Sequence, residues 1–189
     1  MKIALLANLL LGTVVGWQNP NLFLISQSAP TKLQKQVTSN QKACEIYAYV
    51  IDKDPQGLNV RANPNTNGQI LGKLPTTTDT DGMLVDIVAS QGNWVAINKA
   101  EDGNGKVVFQ GKGWVYASKL GTSTRGYDKK KVTVYSRPDR GRKQVGTIPS
   151  STGVTLLGCQ GKWAFVGYQK LQGWLAVDDQ CGTPLTTCS

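Results

Sequence analysis

The sequence predicts an all-β protein made of two similar small β-barrels in tandem. Three observations carry that prediction. The same series of short, strand-like segments occurs twice. No stretch of ten or more residues in the mature chain has helical periodicity. The 189 residues include 21 Gly and 8 Pro, the supply of turn formers that many short strands need.

The first element is an address. Lys2 precedes an apolar run from Ile3 to Val15, and a second apolar patch, Leu22 to Ile25, ends at Ser26-Gln27-Ser28-Ala29. A basic start, a short apolar stretch and small residues describe a secretory signal over residues 1–28, with cleavage after Ser28. An uncleaved anchor is the alternative, but the run is shorter than the roughly 20 residues that span a bilayer. No lipid-attachment box lies near Cys44. Residues 29–43 are polar and read as a linker. An exported protein, periplasmic or extracellular, follows. Its four cysteines, Cys44, Cys159, Cys181 and Cys188, then predict two disulfides. The favoured pairing joins Cys159 to Cys181 or Cys188 and gives Cys44 the partner left over. No Cys-x-x-Cys pair supports a zinc or thioredoxin-type site.

The repeat follows. Leu58-Asn59-Val60-Arg61-Ala62-Asn63-Pro64 runs on to Gly72-Lys73-Leu74-Pro75. Seventy-four residues later, Val132-Thr133-Val134-Tyr135-Ser136-Arg137-Pro138 runs on to Gly146-Thr147-Ile148-Pro149. Val85 to Ile97, containing Gly92-Asn93-Trp94, matches Val154 to Val166, containing Gly161-Lys162-Trp163, at offset 69. Gly113-Trp114-Val115 matches Gly173-Trp174-Leu175 at offset 60. The falling offset puts extra residues in two turn-rich stretches of the first copy, where surface loops tolerate them. Each copy alternates Val, Ile and aromatic residues between Gly, Asn, Asp and Pro, the pattern of antiparallel strands. Cores this small gain from disulfides and from lying side by side.

Leu-Asn-Val-Arg-x-x-Pro, the apolar-Gly-x-Leu-Pro step, Gly-Asn-Trp-Val-x-Ile and Gly-Trp-Val together resemble the bacterial SH3 domain. The resemblance covers residues 44–121 strongly and residues 127–182, within a second domain of 122–189, more weakly, because Tyr135 stands for the expected Arg and Thr133 for the expected Asn. It implies SH3-like β-barrels in an exported bacterial protein that binds cell-wall material or protein partners.

Candidate binding residues divide into aromatics and cations. Trp94, Trp114, Trp163 and Trp174 sit at matched places. They serve either as core, since aromatics dominate small cores, or as stacking surface. Trp94 and Tyr116 in the first copy, and Tyr135, Trp163 and Tyr168 in the second, are the candidate stacking residues. Arg61 either ties the loop after it to the barrel or binds a carboxylate or phosphate bidentately. The glycines before Trp114 and Trp174 read as turn or bulge positions.

Charge separates the copies. Residues 44–121 hold 7 basic and 8 acidic side chains, net −1; residues 122–189 hold 10 and 4, net +6. The basic loop Arg137, Arg140, Arg142 and Lys143 reads as a solvated loop or as a patch for an anionic polymer. Export argues against nucleic acid. With no His, triads and most catalytic zinc sites are excluded. Asp178-Asp179 and Glu101-Asp102 are adjacent pairs in polar loops and read as turn caps, and Asp52-Lys53-Asp54 is only a fragment of a calcium loop. The sequence therefore predicts a non-catalytic binding protein without cofactor or metal, recognising peptidoglycan or an anionic envelope polymer. The alternative is an adaptor holding an envelope protein.

Overall fold

A computed structural model describes residues 40–76, 82–126 and 129–183. The expected leader, most of the linker, Tyr127 and Cys188 lie outside the described residues. The protein is all-β. The first copy comprises β1 (Lys42–Val50), β2 (Leu58–Arg61), β3 (Ile70–Leu74), β4 (Leu84–Gln91), β5 (Trp94–Glu101), β6 (Val107–Tyr116), a 3-10 turn η1 (Ala117–Lys119) and β7 (Leu120–Thr124). The second comprises β8 (Lys131–Tyr135), β9 (Gln144–Pro149), β10 (Gly153–Gln160), β11 (Trp163–Tyr168), β12 (Leu171–Leu175), η2 (Val177–Asp179) and β13 (Gln180–Cys181).

The strands form one continuous antiparallel path, β3-β2-β6-β5-β4-β1-β7-β10-β11-β12-β8-β9, with β13 branching from β7. The path does not close. Strand β7 explains the continuity, because it serves both copies. It pairs with β1 as the last strand of the first copy, Tyr49 opposite Gly121. It also pairs with β10, Thr122 opposite Val154, as β1 pairs with β4. Finally β13 returns to it, Cys181 opposite Ser123, as β7 returns to β1. The remaining pairings of the first copy recur in the second: β4 with β5 as β10 with β11, β5 with β6 as β11 with β12, β2 with β6 as β8 with β12, and β2 with β3 as β8 with β9. Instead of two isolated ladders, the copies share a strand, and it spans the 121/122 boundary read from the sequence.

Burial repeats with the pairing. Along β4 Val85, Ile87 and Ala89 are buried, and along β10 Val154, Leu156 and Gly158 are. This is the period-two pattern of a sheet with one face on a core. Val60, Leu74, Val85, Ile97, Val134, Ile148, Leu156 and Leu175 belong to one apolar cluster that runs through both copies. The two central hairpins turn through Gly92 and Gly161, whose φ values of 57° and 54° lie in the left-handed region that glycine enters without penalty. Gly113 and Gly173 do not serve as turns. A Cβ on Gly113 would lie 2.2 Å from Val60 Cγ1, and one on Gly173 would lie 2.8 Å from Val145 Cγ2. They let neighbouring strands pack closely.

The disulfide differs from the expected pairing. Cys159 bonds Cys44, 115 residues away, with 5.8 Å between Cα atoms. Alignment of the copies places Cys159 at a hairpin tip, but β7–β10 pairing decides what that tip faces. It faces the start of β1: Glu45 N–H donates to Gly161 O at 2.9 Å, and Gly161 N–H donates to Ala43 O at 2.7 Å. Cys181 is also disulfide-bonded.

Candidate functional site

The loop after β2 and the loop after β8 have one conformation. Ala62 N–H donates to Gln69 O, and Ser136 N–H to Lys143 O, at matched positions. Asn65 Oδ1 accepts the Asn67 N–H at 3.0 Å; Asp139 Oδ1 accepts the Gly141 N–H at 2.8 Å. Short polar side chains that bond their own backbone two residues on favour such turns. The basic loop of the second copy is therefore the counterpart of the neutral loop 63–69.

In the first copy this loop bounds a groove of about 440 Å³. Arg61, Asn59, Thr66, Trp94, Tyr116 and Lys119 lie in its walls, with Asp52 and Asp54. Trp94 on β5 and Tyr116 on β6 are opposed in register and meet edge to face, with centroids 5.4 Å apart at 85°. That is a favoured aromatic geometry. Trp94 is half-buried and Tyr116 is 37% exposed. Arg61 Nη1 donates to Gly68 O at 2.9 Å, so the guanidinium does tie the loop down. A guanidinium carries five N–H donors, and this uses one. Asn59 Oδ1 is buried and has no hydrogen-bond partner among the described residues.

Charge at the base of the groove is fixed by Lys119 of η1, which pairs with Asp52 at 2.8 Å. The hydrogen bond to Asp52 holds the Lys119 ammonium above its ordinary pKa, so it stays charged. Asp54 Oδ1 accepts the Gln56 N–H at 2.9 Å, a turn contact. The Asp52-Lys53-Asp54 run is thus taken up locally. No metal-holding group of three His, Cys, Asp or Glu side chains occurs among the described residues.

The corresponding place in the second copy is built differently. Tyr135 stands where Arg61 stands and is buried, 7% exposed. It meets Trp163 edge to face, with centroids 5.8 Å apart at 88°. Ala176 takes the place of Tyr116, and Thr133 that of Asn59. Tyr168 is half-buried and packs on the core. Trp114 is buried, whereas Trp94, Trp163 and Trp174 are half-exposed, so the four tryptophans divide between the two roles read from the sequence.

The basic loop is exposed but partly neutralised. Arg140 pairs with Asp178 at 2.9 Å and lies 3.7 Å from Asp179; Arg142 pairs with Asp139 at 3.2 Å. Asp179, with only 3% of its side chain exposed, also holds Lys129. Both carboxylates of the Asp178-Asp179 pair are therefore engaged. Arg137 and Lys143 are exposed and make no ion pair among the described residues. Sequence reasoning missed Asn59, Asp52 and Lys119 as groove residues. Asn59 lies inside the quoted Leu-Asn-Val-Arg motif, and that was the available signal.

Neither a known family model nor a curated protein matches the sequence. Among solved structures, NlpC2 and NlpC1 from Trichomonas vaginalis align with 14% and 15% identity, each over 72% of this chain and with a TM-score of 0.31. The chain spans 47% and 45% of their lengths. At that TM-score the likeness carries no argument.

Proposed function

We propose that the chain is an exported, non-catalytic binding protein with two SH3-like barrels sharing β7, and that its first barrel holds the peptide part of cell-wall material. The Arg61 guanidinium, with donors left over beside the half-exposed Trp94–Tyr116 corner, carries this reading. The unused donors of Arg61 take a carboxylate, and the Trp94–Tyr116 corner takes the apolar flank. Stem and bridge peptides of peptidoglycan offer amide, carboxylate and amine together, and Asp54 faces the last of these. The Cys44–Cys159 bond supports export, since structural disulfides persist in oxidising compartments. No helix among the described residues is long and apolar enough to cross a membrane.

The adaptor reading draws on a different observation. Ile70 and Leu71 on β3, at the end of the strand path, are 47% and 45% exposed, an apolar edge of the kind partner strands add to. Sedimentation of the purified protein with protein-free sacculi separates the readings. The peptide reading predicts retention that W94A removes and W163A leaves in place. Retention on an envelope-protein extract but not on sacculi favours the adaptor.

A further inference from the structure

A second, larger cleft lies where the two copies meet. Its volume is about 610 Å³, and it shares no residue with the Arg61 groove. One wall is apolar: Leu157, Phe165 and Trp174. Phe165 and Trp174 are cross-strand neighbours on β11 and β12, with centroids 5.1 Å apart and planes tilted by 38°. The other wall is polar and neutral: the amides of Asn40 and Gln41 and the hydroxyl of Ser90. Ser90 is 6% exposed, and its hydroxyl has no hydrogen-bond partner among the described residues. The wall it forms is tight, since a Cβ on Gly158 would lie 3.1 Å from Ser90 Oγ.

A second lobe of about 400 Å³ continues the cleft, and Lys42 and Trp174 line both lobes. The Lys42 ammonium lies 5.6 Å from the Trp174 ring centroid, within cation–π range. It therefore places a positive charge at the saddle between the lobes. The second lobe adds Arg137 and Arg142 against one carboxylate, Asp139. Three cations and one anion leave it net +2.

We propose that this cleft binds an acidic oligosaccharide. A pyranose ring has an apolar C–H face and a rim of hydroxyls. The aromatic wall suits the face, and the amides and the Ser90 hydroxyl suit the rim. The cationic lobe suits a carboxylate on the next sugar, with Arg137 as the unpaired guanidinium and Lys42 between the two rings. Lobe volumes within the usual range for ligand sites, joined end to end, suit an extended ligand over a single ring. The Cys44–Cys159 bond holds the cleft together, because Cys159 lines it while Cys44 anchors β1.

The test uses the purified protein and trigalacturonic acid, with its methyl ester as the neutral ligand of the same shape. Intrinsic tryptophan fluorescence and calorimetry report binding. The expected result is that the acid binds roughly tenfold or more tighter than the ester. In an R137S/R142S variant with unchanged melting temperature, acid and ester should bind alike. In W174L both should weaken, and in R61Y neither should change. Equal binding of acid and ester to the natural chain overturns the proposal, as does binding of neither. Loss of acid binding in R61Y assigns the ligand to the other groove and also overturns it. So does a thymidine oligonucleotide that binds this cleft while the acid does not. Retention on sacculi through the Arg61 groove is measured independently, so either site can fail alone.

Discussion

The two copies carry the same strand pairing and opposite surfaces at the same place. In the first, Arg61 lines an open groove beside an orphaned Asn59 acceptor and the Trp94–Tyr116 corner. In the second, Tyr135 turns inward against Trp163. The corner beneath each groove is also mirrored in charge. Lys119 closes η1 and pairs with Asp52, whereas Asp179 closes η2 and pairs with Lys129. A β-scaffold of this kind specifies where a groove falls. The residue at one strand end decides whether it is a site or a packed wall.

The largest effect that sharpens this comparison is in the core. Trp114 is 5% exposed and packs with Ala89 and Ala96. W114A should cost about 3–5 kcal/mol. W174A, at the matched but half-exposed position, should cost visibly less. Equal losses in urea melts of the two variants would show that the copies do not differ there.

Next is the link between the copies. The C44S/C159S variant should lose about 2–4 kcal/mol, because the bond closes a long loop of the unfolded chain. Both copies should weaken together, since they share β7 and one apolar cluster. Two separate unfolding transitions in the variant would contradict a shared strand.

Smaller again is the basic loop. Replacing Arg140, Arg142 and Lys143 by Ser removes exposed ion pairs, each worth about 0–1 kcal/mol. A loss of several kcal/mol in thermal unfolding would mean that Arg140 is a structural partner of Asp179 in its own right, which Lys129 cannot replace.

The smallest expected effect is a pH dependence in the first copy. Burial pushes the Asp86 carboxyl above its ordinary value of 3.8, more than Lys99 lowers it. The folded state therefore binds more protons than the unfolded one just above pH 3.8, so Asp86 costs stability as pH rises through its folded pKa. D86N should raise the melting temperature slightly at pH 7 and leave it unchanged below pH 3.8.

Much of the fold is legible in the sequence, because hydrophobic alternation and turn glycines are local signals. Leu84–Gln91 and Gly153–Gln160 are visible as repeated strands for that reason. The double role of β7 is not, since Leu120–Thr124 shares no motif with Lys42–Val50 and its partners are set by packing. The same limit hid the Cys44 partner, which depends on where a hairpin tip lands. At the site, the Arg61-to-Tyr135 change is legible as a difference, but its inward turn against Trp163 is a tertiary outcome. The pairing of Arg140 with Asp178, 38 residues on, is likewise invisible to a count of charge.

On the proposed reading, the first copy keeps an open peptide groove and the second fills its own. The most direct measurement is a titration of the purified natural chain and of R61Y with a soluble stem peptide, followed by backbone amide NMR shifts. Shifts are expected at Asn59, Trp94 and Tyr116 in the natural chain, none around Tyr135 and Trp163, with loss of binding in R61Y while the fold is retained. Shifts centred on Trp163, or undiminished binding in R61Y, would contradict it.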